Sequence, residues 1–219
     1  MKKEFFVTFF TILFIFILYI FDQTFKIAYL NKVIIKVTLI AISFLILKFM
    51  YKSNLKFLKI KQLKNYKSGI YLSIFTFFII FIGFFIIKDF LNLTKIKNDF
   101  FYKYNLKGIS FFIASFYLIF INALLEEYFF RGFILQNFNN KKFASVFSAL
   151  SFSIYHLANF KSWFSNKYIL IFPLIGLFIA GLLFNFLAKK TKDIYNSYIP
   201  HLFADLSIVI IGYYILFIS

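Results

Sequence analysis

The stretch Asn122–Gln136 reads N-A-L-L-E-E-Y-F-F-R-G-F-I-L-Q. Two adjacent carboxylates, Glu126 and Glu127, stand in the middle of an apolar run, with Arg131 four residues after the second. The only other Glu in the chain is Glu4, and Arg131 is its one arginine against 24 lysines. The run from Ile109 to Gln136 is long enough to cross a bilayer as a helix, which needs about 20 apolar residues. An ionisable group at the centre of such a helix costs roughly 2.5–3.5 kcal/mol on insertion scales. A membrane helix that keeps three of them is read first as a functional site.

The rest of the chain has the same greasy character. Of 219 residues 62% are hydrophobic, 39 are Phe and only 2 are Pro. Soluble domains average about 45–50% apolar. Further apolar runs cover Phe5–Phe21, Val33–Tyr51, Gly69–Ile87, Phe143–Leu157, Tyr168–Ala188 and Tyr198–Ile218. The expected fold is all-α: a polytopic membrane bundle of about seven transmembrane helices with no sheet. Residues 1–108 read as an N-terminal three-helix membrane region, and 109–219 as a second helix bundle, which carries the acidic pair and which the resemblance given below implies is catalytic. Pro200 is expected in the first turn of the last helix, where its missing N–H is tolerated. Without Cys there is no disulfide, thiol nucleophile or thiolate-held zinc.

The formal charge of +17 is carried by lysines between the apolar runs. They suit anionic lipid rather than nucleic acid, for which no aromatic-plus-basic motif is present. Six lysines fall in Lys52–Lys67. Placing that loop in the cytoplasm puts thirteen lysines there and nine outside, Lys26 and Lys167 among the nine. The N-terminus is then cytoplasmic and the chain multi-pass in the cell membrane. Lys36 and Lys48, near the ends of the second run, are placed to snorkel. Trp163 reads as an interface anchor.

The chain has two histidines, His156 and His201, and both lie in its apolar C-terminal half. His201 and Asp205 are four apart and share a helix face, as do Glu127 and Arg131. Glu126 is turned about 100° from Glu127, so it is free to face the bundle interior while its neighbour pairs with Arg131. These groups form a hydrolytic set of base, second proton carrier and oxyanion donors. They are equally a metal set, since His and carboxylates suit zinc. The bland alternatives are hydrogen-bonded structural histidines and an interhelical charge staple in a non-enzymatic immunity or scaffold protein. No H-E-x-x-H and no G-x-S-x-G occur. Ser153, one helical turn from His156, is a poorly oriented nucleophile.

Three motifs, E-E-x-x-x-R at Glu126–Arg131, F-x-x-x-H at Phe152–His156 and H-x-x-x-D at His201–Asp205, follow one another in order. In this the sequence resembles the CAAX-protease and bacteriocin-processing family (CPBP, Abi-type) of intramembrane proteases. Gly132 fits that pattern, and Gly176, Ala180 and Gly181 offer a small-residue packing face on the helix between the second and third motifs. The resemblance covers residues 122 to 205. It implies hydrolysis of a peptide bond in a membrane-embedded or membrane-associated peptide or protein. Glu126 would activate water with help from His156, and His201 and Asp205 would hold the oxyanion. Glu127 and Arg131 would support the site. The family is described both as glutamate-dependent and as metalloproteases. A divalent metal such as zinc, on Glu126, His156, His201 and Asp205, is therefore the open cofactor. Asp205 stands where eukaryotic members carry Asn. A carboxylate donates to an oxyanion only when protonated, so Asp205 leans toward a metal ligand or a partner that orients His201. Nothing in the sequence identifies a prenylated substrate, and the composition favours peptide maturation, bacteriocin self-immunity or signalling.

One tension stands. Counted from the expected cytoplasmic turn at 1.5 Å per residue, Glu126 lies about 15 Å deep and His156 about 20 Å. His201 lies only a few residues inside its helix. They meet only if helices tilt or if the last helix starts below the surface.

Overall fold

The computed structural model describes residues 2–25, 27–164, 166 and 168–218. Lys26 and Lys167, counted above among the outer lysines, lie outside them. Seven long helices carry the fold: α1 Lys3–Gln23, α2 Tyr29–Met50, α3 Lys67–Ile87, α4 Ile109–Ile134, α5 Lys141–Phe160, α6 Ile171–Thr191 and α7 Tyr195–Phe217. No strand is present among the described residues beyond one isolated bridge, Leu91 to Phe164. Six of the seven are long and apolar enough to cross a membrane.

The exception is α5, which carries Ser145, Ser148, Ser151, Ser153 and His156. Its neighbours supply what bulk lipid could not. Ser148 donates to the Phe130 carbonyl at 2.8 Å, and Asn185 of α6 donates to the Ser145 carbonyl at 2.8 Å. Ser153 donates to the Leu174 carbonyl at 2.7 Å, so its hydroxyl is spent on helix packing rather than held as a nucleophile. Phe143, Val146, Leu150 and Ile154 form the outer apolar stripe at helical spacing.

Helix α4 is the hub, in contact with α1, α2, α5, α6 and α7. Every residue from Glu126 to Leu135 is buried. A helix buried all round needs aromatic bulk on several sides. Phe129 stacks on Phe14 of α1 with centroids 4.0 Å apart, and Phe133 lies edge-on to Phe6 and Phe10. The helix is not uniform. The α-helical turn Ala123–Glu127 is flanked by π-helical segments Tyr117–Asn122 and Tyr128–Ile134. Such wide turns gather at functional sites.

Small residues set two close crossings. On α3, Gly69, Ser73 and Thr76 face α7. A Cβ at Gly69 would overlap the Asn196 carbonyl, which receives no helical N–H because Pro200 stands four residues on. Helix α7 begins at Tyr195, so Pro200 sits in its second turn, not its first. On α6 only Gly181 meets a neighbour, within 2.9 Å of Ala149 Cα for an added Cβ. Gly176 faces open space. Five residues on a helix turn about 140°, so the two glycines cannot share one packing face.

The lysine-rich segment after α2 is not a free loop. A short 3-10 helix, Lys56–Leu58, drops Phe57 into the core against Gly132 and Tyr128. The Phe57 carbonyl accepts the Ile194 N–H at 3.2 Å, and the Tyr195 hydroxyl donates to the Leu58 carbonyl at 3.1 Å. Asp193, Ile194, Asn196 and Ser197 are buried beneath it. The start of the last helix therefore lies beneath this segment, with His201 at the level of Glu126. On the opposite end, Trp163 donates to Asp99 at 2.9 Å and its carbonyl accepts the Asn92 N–H at 2.8 Å. It clasps two connections together.

Candidate active site

The two glutamates part company as their 100° offset requires. Glu127 points toward α7 and is wholly buried. Arg131 Nη1 lies 3.0 Å from its Oε1, Ser197 Oγ donates to its Oε2 at 2.5 Å, and His201 Nδ1 donates to Oε1 at 2.7 Å. The Arg131 guanidinium is itself fully buried. Its carbon lies 4.5 Å from the Phe152 ring centroid and 5.1 Å from that of Phe184. The π faces take what the carboxylate does not. Phe152, the first residue of the F-x-x-x-H motif, thus has a concrete place against the arginine.

Glu126 is bonded on one oxygen only. Its Oε1 accepts from Lys36 Nζ at 2.6 Å, Asn122 Nδ2 at 2.9 Å and the Tyr155 hydroxyl at 3.0 Å. Its Oε2 is buried and receives no hydrogen bond from the described residues. That bare oxygen lies 3.5 Å from His201 Nε2 and 3.7 Å from His156 Nε2. Both rings are fixed from behind. His156 Nδ1 donates to the Phe152 carbonyl at 2.8 Å, and His201 Nδ1 donates to Glu127. A neutral ring so held turns its Nε2 lone pair inward.

All four residues expected at the centre are thus brought together, with Asp205 at the rim. Its Oδ2 is 3.9 Å from His201 Nε2, beyond hydrogen-bond distance, and has no hydrogen-bond partner. The residue that orients His201 is Glu127, not Asp205. The side chains of His156 and Asp205 remain 18% and 15% exposed while those of Glu126 and His201 are at 3%, so access is from the side of the former pair.

Lys36 departs from expectation most. The apolar pattern predicts a snorkelling lysine near a helix end. Helix α2 in fact begins at Tyr29, so Lys36 sits two turns in, 4% exposed, with its ammonium on Asn122, Glu126 and Tyr155. Starting the helix at Val33 hid this. A lysine one would place by hydropathy alone at a border is placed by the helix start in the interior. Asn122 and Tyr155 were also missed, although Asn122 lies one turn before Glu126 and Tyr155 adjoins His156.

No group of three or more His, Cys, Asp or Glu among the described residues is arranged to hold an ion. The carboxylate of Glu126 already carries an ammonium 2.6 Å from Oε1.

Among known families, residues 108–207 match the family model described as type II CAAX prenyl endopeptidase Rce1-like. No curated protein and no solved structure matches the chain. The match begins just before α4 and ends two residues past Asp205, so it encloses all three motifs. Over residues 108–207 this multi-pass membrane protein is similar to the Rce1-like type II CAAX prenyl endopeptidases, a match consistent with a CPBP-family protease.

Proposed function

We propose that the chain is an intramembrane endopeptidase that hydrolyses a peptide bond of a membrane-embedded or membrane-associated substrate with a water activated by Glu126. The observation that carries this reading is the asymmetric carboxylate: three donors on Oε1, none on Oε2, and two imidazole nitrogens beside the bare oxygen. A water seated against Oε2 gives one proton to Glu126 as its oxygen attacks the substrate carbonyl, while His156 Nε2 aligns its other hydrogen. His201, protonated on Nε2, presents an N–H to the oxyanion, and the Glu127 carboxylate at Nδ1 balances the imidazolium. Glu126 then passes its proton to the departing amine nitrogen, and the C–N bond breaks. Asp205 lies at the rim, where it meets the incoming chain. We place the 52–66 segment and the N-terminus on the cytoplasmic side by their lysines. Similarity to type II CAAX prenyl endopeptidases makes a prenylated C-terminal CAAX peptide the first substrate to try.

The test uses a quenched fluorescent farnesylated CAAX peptide with the purified protein in detergent, alongside N-terminal labelling of membrane proteins from cells producing the wild type or Glu126→Gln. Cleavage products, or new N-termini, that disappear in Glu126→Gln and His156→Ala are the expected result. Equal products from wild type and Glu126→Gln, or a set of termini unaffected by the wild type, would remove the peptidase reading.

A further inference from the structure

The matched family segment starts at residue 108, yet one of the three donors on Glu126 Oε1 comes from α2, some seventy residues earlier in sequence. Lys36 is buried, and its ammonium makes three contacts: Asn122 Oδ1 at 2.5 Å, Glu126 Oε1 at 2.6 Å and the Tyr155 oxygen at 2.6 Å. An ammonium has three hydrogens. All are spent, so Lys36 has none for a substrate carbonyl or an oxyanion. Its partners are wired to the same atom. Asn122 accepts from Lys36 through Oδ1 and donates through Nδ2 to Glu126 Oε1, the one amide orientation that serves both. Tyr155 accepts from Lys36 and donates to Oε1. The three donors arrive from α2, α4 and α5, so the plane of the carboxylate is set from three directions.

Resting on the peptidase reading above, we infer that Lys36 is a positioning residue of that site: it locks Glu126 through Oε1 so that Oε2 alone faces His156 and His201. The first helices then belong to the working site. A glutamate tied at one oxygen cannot swing its bare oxygen away from the imidazoles, and a misplacement of about 1 Å at a reacting group can cost about 100-fold in rate.

The experiment measures kcat and KM separately on the farnesylated CAAX peptide for wild type, Lys36→Met, Glu126→Gln and the double variant. Lys36→Met is expected to lower kcat by about 100-fold with KM within about twofold of wild type. The double variant is expected to be as inactive as Glu126→Gln, because Lys36 acts only through Glu126. Lys36→Arg, which keeps the charge but not the compact three-hydrogen head, is expected to restore part of kcat. Should Lys36→Met not fold, Tyr155→Phe removes one donor from Oε1 with little change of shape, and a fall in kcat of about tenfold at constant KM is expected. Wild-type kcat in folded Lys36→Met or in Tyr155→Phe overturns the inference, as does a rise in KM at unchanged kcat. Activity retained by Glu126→Gln sinks the peptidase reading itself. An inactive Glu126→Gln beside a fully active Lys36→Met sinks only the role of Lys36.

Discussion

His201 Nδ1 lies 2.7 Å from Glu127 Oε1, so the glutamate that neutralises Arg131 also fixes the imidazole facing the other glutamate. The two adjacent carboxylates divide the labour, one structural and one chemical, and their substitutions separate. Glu127→Gln leaves the guanidinium of Arg131 buried without its counter-charge. An arginine cannot shed its proton. Breaking a buried pair by removing one partner costs about 3–5 kcal/mol. Glu126→Gln is milder, since an amide can turn its oxygen to the three donors on Oε1 and its NH2 to the Nε2 of His156. Thermal unfolding in detergent should rank wild type and Glu126→Gln together and Glu127→Gln well below them. The opposite ranking would show that the pair has been assigned the wrong way round.

Much of this site is legible from sequence because it uses rare residues. Both histidines, the one arginine and the only two intramembrane glutamates leave few ways to combine them, and helical geometry alone separates Glu126 from Glu127. Lys36 was hidden by abundance. One lysine among 24 carries no signal, and a four-residue error at the start of α2 moved it from interior to border. The π-helical turns around Ala123–Glu127 have no residue signature that sets them apart. The cover formed by residues 52–66 was hidden for a third reason: five lysines announce solvent, and one Phe among them decides the packing.

The glycines of α6 give a paired prediction. A Cβ at position 181 would lie 2.9 Å from Ala149 Cα, and backbone cannot yield as a side-chain tip can. Gly181→Ala must push α5 and α6 apart, at a cost of about 1–3 kcal/mol for an overpacked contact. His156 rides on α5, so activity should fall with stability. Gly176 meets nothing within 4 Å, and Gly176→Ala in a helix interior should be neutral or gain up to about 1 kcal/mol. Melting temperatures of the two variants, taken side by side, check the contrast; equal effects would mean that the α5–α6 crossing is looser than described.

Metal removal makes a third test. The ammonium of Lys36 and the three-donor saturation of Oε1 leave Glu126 a single free oxygen, and among the described residues no group of three metal-holding side chains is found. Cleavage of the farnesylated peptide is expected to survive dialysis against EDTA and 1,10-phenanthroline. Loss of activity on chelation, restored by zinc, would instead make Glu126, His156, His201 and Asp205 ligands and require the site to rearrange around the ion.

The last prediction concerns the cover over the start of α7. Phe57 is buried against Gly132 and Tyr128, and its backbone carbonyl holds the Ile194 N–H. Tyr66 adds a contact to buried Asp193 at 3.4 Å, and burial pushes α7's first residues out of reach of water. Because His201 stands only six residues beyond Tyr195, the depth at which α7 begins sets the height of the imidazole relative to Glu126. Phe57→Ala should open a cavity costing about 3–5 kcal/mol. It should also release Asp193–Ser197 to hydrogen exchange and lower cleavage, although Phe57 touches none of the proposed reacting groups. Lys56→Ala, one residue away and exposed, is the control and should stay within about 0.5 kcal/mol of wild type. If Phe57→Ala unfolds no more easily than Lys56→Ala and protects Asp193–Ser197 equally, the lysine-rich segment is an ordinary loop and the depth of His201 must be set by helix tilt alone.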